Sequence, residues 1–115
     1  GYFYLAGRSK DLVISGGENI YPAQVERVLL AHPAVAEAAV LGVPHPDWGE
    51  ALHAALVLKP GHVLDPASLE AHCRAHLAGF KVPHRFSQHA SLPRTASGKV
   101  QKHRLKDMLL TQQGL

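Results

Sequence analysis

Short β-type runs at residues 2–5 and 12–14 flank the polar Arg8-Ser9-Lys10-Asp11, a pattern that predicts a hairpin or hinge. From Pro22 to about Ala31 the apolar positions take helical spacing. Val25, Val28 and Leu29 form one stripe behind a proline in the first turn, and His32-Pro33 ends the helix. Residues 35–43 and 51–58 are alternating or continuous apolar runs rich in alanine and valine. Joined by a turn at 44–50, they predict paired strands of one sheet. Asp65 caps a second helix with Pro66 in its first position, and Leu69, Cys73 and Leu77 share a face until Gly79 stops it. A short strand over 84–88 and a last helix over about 101–110 complete the pattern. This order predicts an α+β fold: a small sheet covered by about three helices, preceded by a short two-stranded hairpin.

Composition narrows the picture. A chain of 115 residues with 46% hydrophobic residues buries one modest core, not a core plus a large substrate cavity. The one cysteine, Cys73, excludes an internal disulfide and reads as a buried thiol. No apolar run approaches the length of a membrane span and no signal peptide precedes Gly1, so a cytoplasmic location is the expectation. A net charge of +3 is too mild to imply nucleic acid but suits an anionic ligand.

The candidate chemistry sits near the end of the chain, in Leu92-Pro93-Arg94-Thr95-Ala96-Ser97-Gly98-Lys99-Val100. Pro93 fixes a backbone angle, and Ser97 and Gly98 make a turn with almost no side-chain bulk. Lys99 behind them carries a compact, mobile charge able to approach a phosphate or carboxylate. The loop is not a Walker A loop, because proline occupies position 93 where that motif needs glycine and Val100 stands where it needs serine or threonine. Taken alone, the segment is equally compatible with a solvated turn lysine.

A second stretch changes that balance: Gly7-Arg8-Ser9-Lys10-Asp11-Leu12-Val13-Ile14-Ser15-Gly16-Gly17-Glu18-Asn19-Ile20-Tyr21-Pro22. Together the two segments resemble the carboxy-terminal domain of the acyl-adenylate-forming enzymes, which include acyl-CoA synthetases, adenylation domains of nonribosomal peptide synthetases and firefly luciferase. The resemblance runs from Gly7 to about Leu105, with both motifs in order and about 80 residues apart.

The resemblance implies roles residue by residue. Lys99 matches the lysine that contacts both the substrate carboxylate and the α-phosphate of ATP, where two anions must meet. Arg8 matches the arginine that contacts the ATP ribose and phosphates, its rival reading being a surface pair with Asp11. Lys10 matches the hinge about which the small domain swings between half-reactions. Gly16 and Gly17 correspond to the strand lining the pantetheine tunnel of CoA; two glycines let backbone lie flat against a narrow ligand, and a structural bulge is the alternative. Trp48 is set either to stack on the CoA adenine or to pack in the core. Lys81 and Arg85, in Phe80-Lys81-Val82-Pro83-His84-Arg85, are candidates for the CoA phosphates. The implied cofactors are ATP with Mg2+, and CoA. The implied partners are the chain's own amino-terminal domain and a carboxylic acid, for which a fatty or related hydrophobic acid is the weak preference.

Other constellations point elsewhere and are weaker. His72 and His76 have the i, i+4 spacing of helical metal ligands, but no third ligand or companion glutamate follows, so a solvated helix flank is the better reading and no metal is expected. Lys99, Lys102, Arg104 and Lys106 lack the interleaved aromatic residues of a nucleic-acid surface. The large domain holding most of the ATP and acyl pocket is not in these residues, so the chain by itself is expected to be silent in catalysis. Two alternatives stay open: a peptide-synthetase lid acting with a carrier protein, and a binding module without catalysis.

Overall fold

Two long antiparallel strands, joined by a turn of only three residues, form the centre of the fold. The computed structural model describes residues 12–112. A short hairpin comes first, β1 (Val13–Ser15) and β2 (Glu18–Ile20), followed by α1 (Pro22–Leu30). The long pair is β3 (Val35–His45) and β4 (Gly49–Leu58), in register from Ala38↔Leu56 to His45↔Gly49. Then come α2 (Pro66–His76), a 3-10 turn (Gly79–Lys81), β5 (Arg85–Gln88) and α3 (Lys102–Gln112).

The sheet order is β2-β1-β4-β3. One edge of β4 carries β3, and the other is shared between β1, which meets it at Ser15↔Gly49, and β5, which runs parallel to it from His53↔Arg85 to Leu56↔Gln88. The strands outrun the expected turn at 44–50, which contracts to Pro46-Asp47-Trp48. His45 is the reason: its Nδ1 accepts from the backbone N–H groups of Asp47 (3.1 Å) and Trp48 (3.2 Å), closing the turn from inside.

The runs in β3 and β4 are nearly continuous in apolar residues because helices cover both faces. Val40, Leu52, Ala54 and Leu56 pack with Val25 and Leu29 of α1 and Leu69 and Cys73 of α2. On the opposite face Ala39, Leu41, Val43, Ala51 and Ala55 pack with Leu92 and with Leu105 and Leu109 of α3. Asp65 caps α2 by accepting from Ser68 N (3.3 Å), with Pro66 at its first turn. Burial pushes the Cys73 thiol up from its ordinary range, with Glu70 adding to the effect, so this is a packing residue and not a nucleophile. The α+β architecture expected from the sequence is therefore the one observed. The strand expected at 2–5 lies outside the described residues, and the hairpin that is described pairs 13–15 with 18–20.

His72 is half-buried, not a solvated flank, because its Nε2 donates to Val28 O across the α1–α2 interface (2.7 Å), while His76 is exposed. No group of three or more histidine, cysteine, aspartate or glutamate side chains able to hold a metal occurs among the described residues. No described helix is long and apolar enough to cross a membrane.

Candidate functional site

Residues 93–101 fold back on themselves as a small hairpin. Gln101 N donates to Pro93 O (2.8 Å), Thr95 N to Lys99 O (2.8 Å) and Gly98 N to Thr95 O (2.9 Å), and Arg94 bridges Val100 in antiparallel fashion. The tip is Ala96-Ser97-Gly98, a three-residue loop with glycine in the left-handed region (φ 92°), as such loops require. Thr95 Oγ1 stiffens it further, bonding Ser97 Oγ (2.9 Å) and accepting from Lys99 N (3.2 Å). A methyl group at position 98 meets nothing within 4 Å, so Gly98→Ala costs backbone strain alone. The expected loss is about 1–2 kcal/mol, read as a lower urea midpoint at unchanged m-value.

The hairpin holds the backbone of Lys99 and leaves its side chain exposed, with no hydrogen bond or ion pair of its ammonium group among the described residues. Lys99 borders a groove of about 680 Å³ between α3, the open edge of β3 and the start of β1. Gly42, Leu12 and Val13 line it together with Lys102 and Lys106 and with the carboxylates of Glu26 and Glu50, of which Glu26 pairs with Lys102. Leu12 follows directly on the Arg8-Ser9-Lys10-Asp11 segment, so two motifs about 80 residues apart in sequence converge on one groove. Arg8 and Lys10 themselves lie outside the described residues.

A second surface gathers the other candidates around the β3–β4 turn. Gly16 and Gly17 (φ 58° and 85°) are the two central residues of the β1–β2 turn, both in the left-handed region. They form neither a flat strand nor a bulge. The two-residue loop between Ser15 and Glu18 requires positive φ twice, a demand glycine meets without strain. Gly16 N donates to Trp48 O (3.0 Å), which joins this turn to the next. Trp48 is 42% exposed, so it is not a core residue. One face of its indole stacks on His45 (4.1 Å between centroids, planes 6° apart), and His84 meets it edge-on at 5.2 Å. Arg85 follows His84 at the start of β5 and lines a smaller cavity of about 220 Å³ with His45 and His84. Lys81 stands apart from these, donating to Gln24 Oε1 (2.9 Å) and lying over the Phe80 ring (5.6 Å).

Sequence reasoning missed His53. It is 3% exposed on β4, with Nε2 at 2.8 Å from Ser87 Oγ, which in turn lies 2.7 Å from His89 Nε2. Nδ1 has no partner. A bare buried lone pair costs less than an orphaned N–H, which assigns the proton to Nε2 and the donor direction His53→Ser87→His89. Burial, then the His89 and Arg85 charges, hold the His53 imidazole down at about 4. The unfolded chain, with an ordinary histidine at 6.5, therefore binds the proton first as pH falls, and stability drops between about pH 6.5 and 4. Moving from about pH 7 to about 5.5 is expected to lower the unfolding free energy by about 1 kcal/mol through this residue, and His53→Gln to remove that part of the slope in urea melts. An isolated histidine in an apolar run carries no sequence signal for such a role.

Comparison with known proteins bears on this geometry. Residues 24–99 match the family described as AMP-binding enzyme C-terminal domain. The chain is 51% identical over 108 residues to 2-succinylbenzoate–CoA ligase of Bacillus velezensis, covering 94% of this chain and 22% of that protein. It is 48% identical over 105 residues to sulfoacetate–CoA ligase of Cupriavidus necator, covering 91% of this chain and 21% of that one. Among solved structures, the acyl-CoA synthetase of Brucella canis superposes with a TM-score of 0.85 at 38% identity, over 93% of this chain and 20% of its own. The chain thus spans about a fifth of the length of the relatives it matches.

Proposed function

Because this chain belongs to the family of AMP-binding enzyme C-terminal domains, we propose that it is the lid of an ATP-dependent, AMP-forming acyl-CoA synthetase. In the first half-reaction the substrate carboxylate attacks the α-phosphate of ATP, which enters as its magnesium complex, and pyrophosphate leaves. Repulsion between the two anions is the barrier that Lys99 offsets, by donating to both and orienting the attack. Arg8 holds the nucleotide ribose and phosphates. The lid then turns about Lys10 and presents its second surface to CoA. There Gly16 and Gly17 offer backbone with open space where side chains would stand. Trp48 keeps one indole face for the adenine, Arg85 meets the phosphates there, and Lys81, outside that cluster, reaches them from the 3-10 turn.

The observation that carries this reading is the free ammonium of Lys99 on a stiff hairpin, at a groove reached also by the segment that follows Arg8 and Lys10. The choice of acid belongs to the amino-terminal domain. This chain is similar to ligases named for 2-succinylbenzoate, for sulfoacetate and for a fatty acid, three unlike acids, so the preference for fatty acids is supported only in part.

The test is to supply the full-length protein carrying this chain with ATP, Mg2+, CoA and a panel of aliphatic, aromatic and sulfonated acids, and to follow AMP and thioester. AMP and CoA thioester formed in equal amounts with at least one acid is the expected result. Transfer to a phosphopantetheinyl carrier protein in place of CoA would move the assignment to a peptide-synthetase lid. No acid-dependent AMP at all would leave a binding module.

A further inference from the structure

Contacts beyond the hairpin add to the bonds that hold Lys99 within it. The tip of that hairpin presents the Gly98 carbonyl, which accepts from Arg94 Nη1 (2.7 Å), and Nη2 of the same guanidinium pairs with Glu37 Oε1 on β3. The planar fork of arginine suits this double task, because its two terminal nitrogens reach a carbonyl and a carboxylate at once. At the other end of the hairpin, Lys102 opens α3 and pairs with Glu26 Oε2 (2.8 Å), which also accepts from Val40 N (2.8 Å). Val40 is served by that acceptor because, among the described residues, β3 is the outer strand of the sheet and this N–H has no ladder partner. Both ends of the hairpin are thus tied to the open edge of β3, with Lys99 between the ties.

We infer that Arg94 and Glu37 are a positioning pair, which fixes the Lys99 hairpin on β3 so that adenylation, and not thioester formation, depends on them. The inference rests on the proposed role of Lys99 and adds to it residues that touch no substrate. Half-exposed ion pairs contribute little to stability, typically no more than about 1 kcal/mol. Displacing a catalytic ammonium by a fraction of an ångström is costly by comparison, since attack geometry is steep in distance. Arg94 is already committed to a carboxylate and a carbonyl, which sets it apart from Lys99 as the cation left for substrate.

The experiment uses Arg94→Ala, Glu37→Ala and the double variant of the full-length protein. Each is assayed for acid-dependent ATP–pyrophosphate exchange and, separately, for thioester formation from supplied acyl adenylate. Expected is a fall of about tenfold in the exchange kcat for each single variant at unchanged KM for ATP, no further fall in the double variant, and thioester formation within about twofold of wild type. Hydrogen exchange of peptides covering 95–100 is expected to quicken in both single variants. Should Arg94→Ala fail to fold, Glu37→Gln, which keeps the side-chain shape and removes the charge, is expected to reproduce the exchange defect. A raised KM for ATP in Arg94→Ala with Glu37→Ala unaffected would make Arg94 a nucleotide ligand and overturn the inference. Equal loss of both half-reactions would overturn it as well. Lys99→Ala run beside them separates the two readings: full exchange activity in that variant removes the proposed function, whatever the pair does.

Discussion

Replacing Lys99 with alanine in the full-length protein is expected to lower acid-dependent ATP–pyrophosphate exchange by roughly two to three orders of magnitude, the usual range for losing one preorganised electrostatic contact at a developing charge. Thioester formation from supplied acyl adenylate is expected to persist, because the surface proposed for that step lies around Gly16, Gly17 and Trp48. The variant leaves the fold alone: Lys99 is exposed, and the hairpin is closed by backbone bonds and by Thr95, none of which involves the lysine side chain beyond Cβ. Lys99→Arg is expected to recover little, since a guanidinium is longer and planar where a compact ammonium must reach two oxygens. Collapse of both half-reactions would show a residue serving the whole cycle, and survival of both would reduce the domain to a cover.

The largest effect on stability is expected from Leu56→Ala. Leu56 is fully buried at the middle of β4, paired with Ala38 on one side and Gln88 on the other, in the cluster that joins the sheet to α1 and α2. Its neighbours are held by strands on both edges and helices above, so the space it leaves closes poorly. A loss of about 3–4 kcal/mol follows from the missing transfer energy plus the cavity, a large part of the 5–15 kcal/mol a small domain commonly has. Urea unfolding followed by Trp48 fluorescence would read it as a lower midpoint. A loss below about 1 kcal/mol would mean that α1 and α2 settle onto the sheet more freely than their packing indicates.

Most of the architecture was legible because its signals are local. Pro22 and the Val25/Leu29 stripe announced α1, Asp65-Pro66 announced α2, and the apolar runs announced β3 and β4. Where side chains act at a distance the reading was incomplete. The β3–β4 turn is shorter than its proline-rich sequence suggested because an imidazole supplies the acceptor that closes it. Gly16-Gly17 read as a pliant strand because glycine reports conformational freedom, not which conformation uses it. His72 read as solvated because its acceptor, Val28 O, lies on another helix 44 residues away. Lys99 is proposed from its own motif. Glu37 and Glu26 carry no motif, and only the fold brings them to the hairpin and to α3.

The parallel partner of β4 has a consequence for how the chain acquires its structure. The β3–β4 hairpin closes locally, yet the far edge of β4 must wait for residues 85–88, which arrive only after α2 and the 3-10 turn. Pairing across such a separation carries a loop-closure entropy that local hairpins avoid, so it belongs to the later part of folding. A growing polypeptide is therefore expected to pass through a stage in which β3 and β4 are joined while backbone donors and acceptors of His53–Leu56 stand open to other chains. Docking of α2 and β5 ends that exposure, which makes substitutions near Arg85–Gln88 a hazard for yield and aggregation during synthesis even where the finished molecule tolerates them.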